Sequence, residues 1–373
     1  MERNLLTSIR KDLKKKVVFV TGPRQSGKTT LARMVTPDHD YLNFDFPPHR
    51  LDIKDRAWDR KKELVIFDEL HKMRGWKGWL KGVFDVEGVS PALLVTGSAR
   101  LDTARKGGES LAGRFFQYRL HPFDVKEVAG ELDPEESLSR IMEVGGFPEP
   151  FLENDPAFYA RWRKSHTDMI LRQDLIDLEH VRDITSIETL VELLRHRVGS
   201  PISFSSLARD LERDPSTVKR WLGVLESLYV VFPIRPFHRN IARALLKEPK
   251  YYFYDTGLVV GDEGARFENL CACALLKESH RRIDCEGRET NLHYLRTKDG
   301  AEMDFLVTEE GADPLMIEAK HADDAPSRAF AHFASFFKAV RKVQLVRALG
   351  REKTYPDGVE VRKAAPWLAK LAF

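Results

Sequence analysis

The chain has 373 residues, more than one hydrophobic core accommodates and enough for roughly two to four domains. Hydrophobic residues make up 42% and charged residues 31%, the balance of a soluble globular protein, and no apolar run approaches the roughly 20 residues that span a bilayer. A net charge of +3, from 60 basic and 57 acidic residues, neither demands nor excludes nucleic acid, so any such contact must come from a local patch.

The first stretch, "MERNLLTSIRKDLKKK", is basic without an apolar core behind it, unlike a secretory signal. Residues 16–125 then alternate apolar runs ("KVVFVT", "YLNFD", "ELVIFDE", "ALLVTGS", "FFQYRL") with helical text, the pattern of a parallel sheet covered by helices. The first run leads into G-x-x-x-x-G-K-T from Gly22 to Thr29, and that strand–turn–helix context makes the pattern specific. Phosphate oxygens need several donors at close range. The backbone of Gly22, Pro23, Arg24, Gln25, Ser26, Gly27, Lys28, Thr29 and Thr30 can curl to supply them. Lys28 would reach the outer phosphates of ATP, and Thr29 would offer a hydroxyl to Mg2+.

The third run ends in Asp68 and Glu69, at the strand end where ligands bind in such sheets. Asp68 would hold Mg2+ through water, and Glu69 would act as general base on the attacking water. Ser98, closing the fourth run, would orient that water; an ordinary strand-ending turn is the alternative. Arg114, ahead of the fifth run, would reach a neighbouring subunit's nucleotide in a homo-oligomer, with a local ion pair as the alternative.

Helical periodicity takes over from about Asp124 to Val198, interrupted by "GGFPEPF", which reads as a rigid turn. "ISFSSLARDLERDPSTVKRWLGVLESLYVVFPI" has helix-turn-helix spacing, with Ser205 and Ser216 as expected caps and a strand after the second helix, the order of a winged helix. Its second helix carries Lys219 and Arg220, with Arg213 just before it, as candidate DNA contacts. The next stretch interleaves Arg235, Arg239, Arg243, Lys247 and Lys250 with aromatics, a set suited to gripping phosphates without reading sequence. Winged helices also serve as protein-docking modules, and that alternative stays open.

From "RFENLCACALLKE" onward the text gives a helix, a hairpin across "KDGA", a strand "PLMIEAK", a helix "SRAFAHFASFFKAV" and a strand "KVQLVRAL". Two of these strands bear carboxylates, Asp304 and Glu318. Lys320, two residues after Glu318, faces the same side, because strand side chains repeat every second residue. Asp304, Glu318 and, from the helix, Glu268 would hold Mg2+, while Lys320 positions the water that attacks a phosphodiester. Buried ion pairing is the alternative use of the same charges. Three cysteines, Cys271, Cys273 and Cys285, suit reduced thiols in a cytoplasmic protein, and the first two read as helix packing.

The phosphate loop, Asp68–Glu69, Ser98 and the arginine of "SLAGRFFQYRLHPF" together resemble an AAA+ ATPase. With "DELHKM", "TGSARLD", "GGFPEPF" and "KYYFYDTGL", the chain is similar to prokaryotic ATP-binding proteins that join an AAA+ module to a C-terminal domain of unknown function. The C-terminal order resembles the PD-(D/E)xK nuclease fold. The expectation is therefore an α/β protein: a P-loop AAA+ core (1–123), a helical lid (124–198), a winged helix-turn-helix (199–249) and a restriction-endonuclease-like domain (250–373). Its expected activity is Mg2+-dependent ATP hydrolysis coupled to a DNA-associated C-terminal region, with phosphodiester cutting as the further activity of that region. The alternative is a nucleotide-dependent switch that docks a protein partner and carries an inactive nuclease-like domain.

Overall fold

A computed structural model describes residues 1, 3–97, 111–175, 183–238, 247–297, 299–323 and 325–373. The chain divides into two compact units, Met1–His121 with Asp284–Glu286, and Pro122–Ile283 with Gly287–Phe373.

The first unit is built on a five-stranded sheet of β1 (Val17–Thr21), β2 (His39–Asn43), β3 (Leu64–Asp68), β4 (Ala92–Thr96) and β5 (Phe115–Arg119), in the order β2-β3-β4-β1-β5. Every pairing is parallel. All residues of β1 and β3 are buried, because helices cover both faces. On one face Phe19, Phe67 and Val95 pack with Trp58, Trp76 and Leu80; on the other Val18, Ile66 and Leu94 pack with Leu6, Ile9 and Leu31. Asp284–Glu286 belongs here through side chains. Asp284 accepts from the Arg119 backbone N–H at 3.0 Å and its guanidinium at 2.7 and 3.0 Å, and Cys285 packs on the second core.

The second unit begins with a short helix over Val125–Val128, followed by helices over Pro134–Val144, Pro148–Glu153, Pro156–Met169 and Ile184–Arg195. Asp133, Asp155 and Asp183 cap three of them with side-chain oxygens. "GGFPEPF" is more than a turn: Pro148, with its ring pre-set for the first helical position, starts a short helix there. The two helices of the helix-turn-helix text cover Phe204–Asp210 and Pro215–Ser227. Their caps differ from expectation. Ser203 accepts from the Ser206 N–H, and Pro215 at the first turn moves the second start to Asp214, ahead of Ser216.

β6 (Val231–Pro236) and β7 (Lys250–Phe253) follow as an antiparallel pair. They join β8 (Thr290–Arg296), β9 (Glu302–Glu309), β10 (Leu315–Lys320), β11 (Arg341–Val346), β12 (Lys353–Thr354) and β13 (Val359–Lys363) in one sheet ordered β12-β13-β11-β10-β9-β8-β6-β7. The expected seam between 249 and 250 thus falls between two strands that pair with each other. β8, β9 and β10 run antiparallel, whereas β10, β11 and β13 are parallel. The Glu263–Arg281 helix contributes Phe267, Leu270, Cys271 and Leu275 to the interior, and Phe330 and Phe333 pack with Met303, Leu306 and Met316. The sheet extends past the expected last strand through β12 and β13. No helix among the described residues is long and apolar enough to cross a membrane.

Candidate functional site

In the first unit the loop from β1 to the Lys28–Met34 helix lies at the ends of the central strands. Gly22 (φ +144°) approaches the chain so closely that a Cβ there would lie 2.2 Å from the Leu120 carbonyl oxygen. Gly27 is left-handed at φ +92°, immediately before the helix. Both are places where a side chain would break the curl. Lys28 is buried, and its ammonium donates to the Gly22 and Pro23 carbonyls at 3.0 and 2.5 Å. Ser26 Oγ is buried without a hydrogen-bond partner, a cost that folding retains only with some compensation. Gln25 and Thr30 are exposed and Arg24 is half-buried. An orphaned hydroxyl, a bent glycine backbone and an ammonium resting on its own loop fit a phosphate group.

Asp68 closes β3, 7% exposed, and three hydroxyls converge on it. Thr29 Oγ1 donates to Oδ2 at 2.9 Å, Tyr41 Oη to Oδ2 at 2.7 Å, and Thr96 Oγ1 to Oδ1 at 2.5 Å. Thr29 and Asp68, the two residues expected to serve magnesium, thus touch each other directly. Tyr41, in the middle of β2, was not singled out by sequence; Thr96 closes β4, and both strands neighbour β3. Burial and the Asp68 carboxylate push the Tyr41 phenol up to about 12, so it stays a donor. This hard-oxygen set fits magnesium.

Glu69 follows in a left-handed turn (φ +57°), held by its N–H donating to the Thr96 carbonyl at 3.0 Å. Burial raises its carboxyl above the usual range, Lys72 opposes this, and Asp68 adds to it. Its Oε2 lies 3.2 Å from Lys72 Nζ and 3.6 Å from His71 Nε2. Arg114 takes up the local alternative, a two-point pair with Asp85 at 2.6 and 3.2 Å. Ser98 lies outside the described residues.

The second unit brings Glu268, Asp304 and Glu318 near one another, but around a lysine. Lys250 is 0% exposed. Its ammonium lies 2.6 Å from Glu302, 3.4 Å from Glu268 and 3.9 Å from Asp304, and 5.4 Å from the centre of the Tyr294 ring. Burial would lower its affinity for a proton, but Glu268, Asp304 and Glu302 hold it above the ordinary lysine value. Glu268 also accepts from Tyr252 Oη at 2.7 Å, Asp304 Oδ2 from the Ala319 N–H at 2.9 Å, and Glu318 pairs with Lys320 at 2.8 Å. Burial, then the Glu268 and Glu318 charges, raise the Asp304 carboxyl well above its usual range. Among the described residues no three His, Cys, Asp or Glu side chains are arranged to hold a metal ion. The residues of the expected shell make ion pairs here, Glu268 and Asp304 with Lys250 from β7 and Glu318 with Lys320. The reading of Lys250 as a surface phosphate grip is corrected by its burial.

Of the basic helix residues, Lys219 and Arg220 are exposed, whereas Arg213 pairs with Asp183 at 2.8 Å. Arg239 and Arg243 lie outside the described residues.

Residues 14–129 match a family described as an AAA domain, 135–263 a domain of unknown function (DUF8612), and 263–367 another domain of unknown function (DUF4143). An uncharacterized protein of Mycobacterium tuberculosis is 29% identical over 325 residues, covering 82% of this chain and 70% of its own length. An uncharacterized protein of Methanocaldococcus jannaschii is 24% identical, covering 92% of this chain and 82% of its own. Among solved structures, a signal transduction ATPase with numerous domains (STAND) carrying a tetratricopeptide repeat sensor, from Pyrococcus horikoshii, overlaps 76% of this chain and 51% of its own at 13% identity. The TM-score there is 0.25, and that overlap carries no weight here. The AAA match and the parallel sheet with its phosphate loop support ATP binding by a P-loop domain of AAA type.

Proposed function

We propose that this protein is a Mg2+-dependent ATPase whose first unit binds and hydrolyses ATP and whose second unit carries the output toward DNA. The observation that supports this best is the convergence of Thr29, Tyr41 and Thr96 on Asp68, beside a loop whose lysine is buried against it. In this reading the backbone from Gly22 to Thr30 cradles the phosphates, and Lys28 exchanges its own carbonyls for phosphate oxygens. Thr29 and Asp68 would hold magnesium, with Tyr41 and Thr96 fixing the carboxylate. Bound there, magnesium supplies charge neutralisation to the phosphates. Glu69, with its raised proton affinity, takes a proton from water. Ser98 would orient that water, and Arg114 would leave Asp85 to act on a neighbour's nucleotide in a homo-oligomer. The test is ATP turnover in Lys28→Ala and Glu69→Gln: turnover by the first variant at the wild-type rate would refute the cradle.

For the output, Lys219 and Arg220 remain exposed candidates on the second helix of a winged-helix-like segment that feeds β6 and β7 into the nuclease-like sheet. A second reading is favoured by one observation, the ion-paired state of Asp304 and Glu318. In it the nuclease-like domain does not cut, and the nucleotide state governs docking of a protein partner. A panel of single-stranded, duplex and branched DNA, assayed for ATPase stimulation and for cleavage, separates the two. Stimulation with cleavage supports the first reading. The absence of both supports the second.

A further inference from the structure

We infer that Lys250 is the resident cation of the second unit's carboxylate cluster, occupying the place a divalent ion would take and making the cluster metal-independent. The charges come from separate elements. Lys250 opens β7, Glu268 lies on the Glu263–Arg281 helix, Glu302 and Asp304 on β9, and Glu318 and Lys320 on β10. A divalent ion needs several carboxylate oxygens that are turned toward one point and not already engaged. Here each carboxylate has at least one oxygen engaged. Glu302 Oε1 faces Lys250 at 2.6 Å and its Oε2 faces Arg296 at 3.0 Å. Glu268 Oε1 is shared by Tyr252 and Lys250. Asp304 Oδ2 takes the Ala319 N–H, and Glu318 Oε1 takes Lys320 at 2.8 Å.

The charge balance agrees. The carboxylates of Glu268, Glu302, Asp304 and Glu318 face the cations of Lys250, Lys320 and Arg296, leaving one formal negative charge, too little to hold a doubly charged ion tightly. An ammonium that is 0% exposed cannot step aside into water, since stranding either partner of a buried pair is strongly unfavourable. The consequence is that the strand carboxylates serve the packing of β7, β9, β10 and the helix, and that phosphodiester cutting is not supplied by this cluster. The consequence rests on the switch reading above, but the ion measurement does not, and its failure would leave ATP turnover unaffected.

The experiment is Mn2+ titration of the full chain without nucleotide, by calorimetry and by electron paramagnetic resonance. Asp304→Asn is expected to bind as many Mn2+ ions as the wild type, with the same affinity. Lys250→Met, which keeps the length and removes the charge, is expected to gain one site at least about tenfold tighter than any cluster-dependent binding in the wild type. That site should vanish again in the Lys250→Met/Asp304→Asn double variant. A wild-type Mn2+ site that Asp304→Asn removes would overturn the inference, and so would a folded Lys250→Met variant that gains none. Should Lys250→Met fail to fold, the wild-type and Asp304→Asn titrations decide the question by themselves.

Discussion

Two buried lysines, Lys28 and Lys250, mark the contrast between the units. Lys28 rests on two neutral carbonyls of its own loop, partners that a phosphate outbids easily because a charged acceptor gives the stronger hydrogen bond. Lys250 is surrounded by three carboxylates, and nothing entering from solvent improves on them. Both are buried, Lys28 at 9% exposure and Lys250 at 0%. Their hydrogen-bond acceptors differ in charge, and in the proposed reading that separates a lysine kept for a ligand from one consumed by the fold.

The sharpest way to break this comparison is Lys28→Ala. It should abolish ATP binding, read as loss of fluorescent-nucleotide affinity and of phosphate release, while the melting temperature without nucleotide stays close to wild type. Glu69→Gln comes next: turnover should fall about 10²- to 10⁴-fold with nucleotide affinity retained, measured by single-turnover kinetics. Lys250→Met should instead leave ATP affinity intact and destabilise the second unit by about 3–5 kcal/mol, because the carboxylates lose their counter-charge, as chemical denaturation would show. If Lys250→Met cost no stability, the contrast between the two lysines would be lost.

Smaller effects sharpen the picture of the second unit. A Cβ on Gly257 would lie 1.8 Å from Tyr159 Oη, so Gly257→Ala should cost about 1–3 kcal/mol in denaturant unfolding. Tyr159 donates to Asp255 at 2.9 Å, and burial raises the Asp255 carboxyl to about 6 despite that bond. A carboxyl raised in the folded state binds its proton more readily there than in the unfolded chain. Its contribution to stability is therefore complete below pH 3.8, the unfolded value, and is lost as pH rises through about 6. Asp255→Asn should remove that dependence. The wild type should gain up to roughly 2–3 kcal/mol relative to the variant between about pH 7 and pH 4, read from paired denaturation curves.

Much of the first unit was legible in the sequence. Strands buried on both faces must be continuously apolar, so "VVFVT", "LVIFD" and "ALLVT" announce themselves, and the phosphate loop follows from its glycines and Lys28–Thr29. Tyr41 was not legible, and Thr96 was legible only as a strand-end hydroxyl, because neither declares a partner until the strand order brings it beside Asp68. In the second unit the carboxylates read as too costly to leave unpartnered, with a metal or ion pairing to Lys320 or Arg296 as the open alternatives, and Lys250 was not among the partners considered. Lys250 lies within a basic, aromatic stretch that reads as surface, and only the pairing of β6 with β7 carries it inside. The capping choice of Ser203 over Ser205 turns on a single hydrogen bond that spacing does not encode, and β12 is only two residues long.

The three residues Asp284–Glu286 give the chain an unusual connectivity: it passes between the units at three peptide junctions, after His121, after Ile283 and after Glu286. A fragment cut after His121 would take the Asp284 acceptor from the Arg119 guanidinium and N–H and the Cys285 side chain from the Leu6–Leu31 face. Neither unit is a cassette that one cut can lift out, and an insertion near residue 285 would be felt first at the edge strand of the nucleotide-binding sheet.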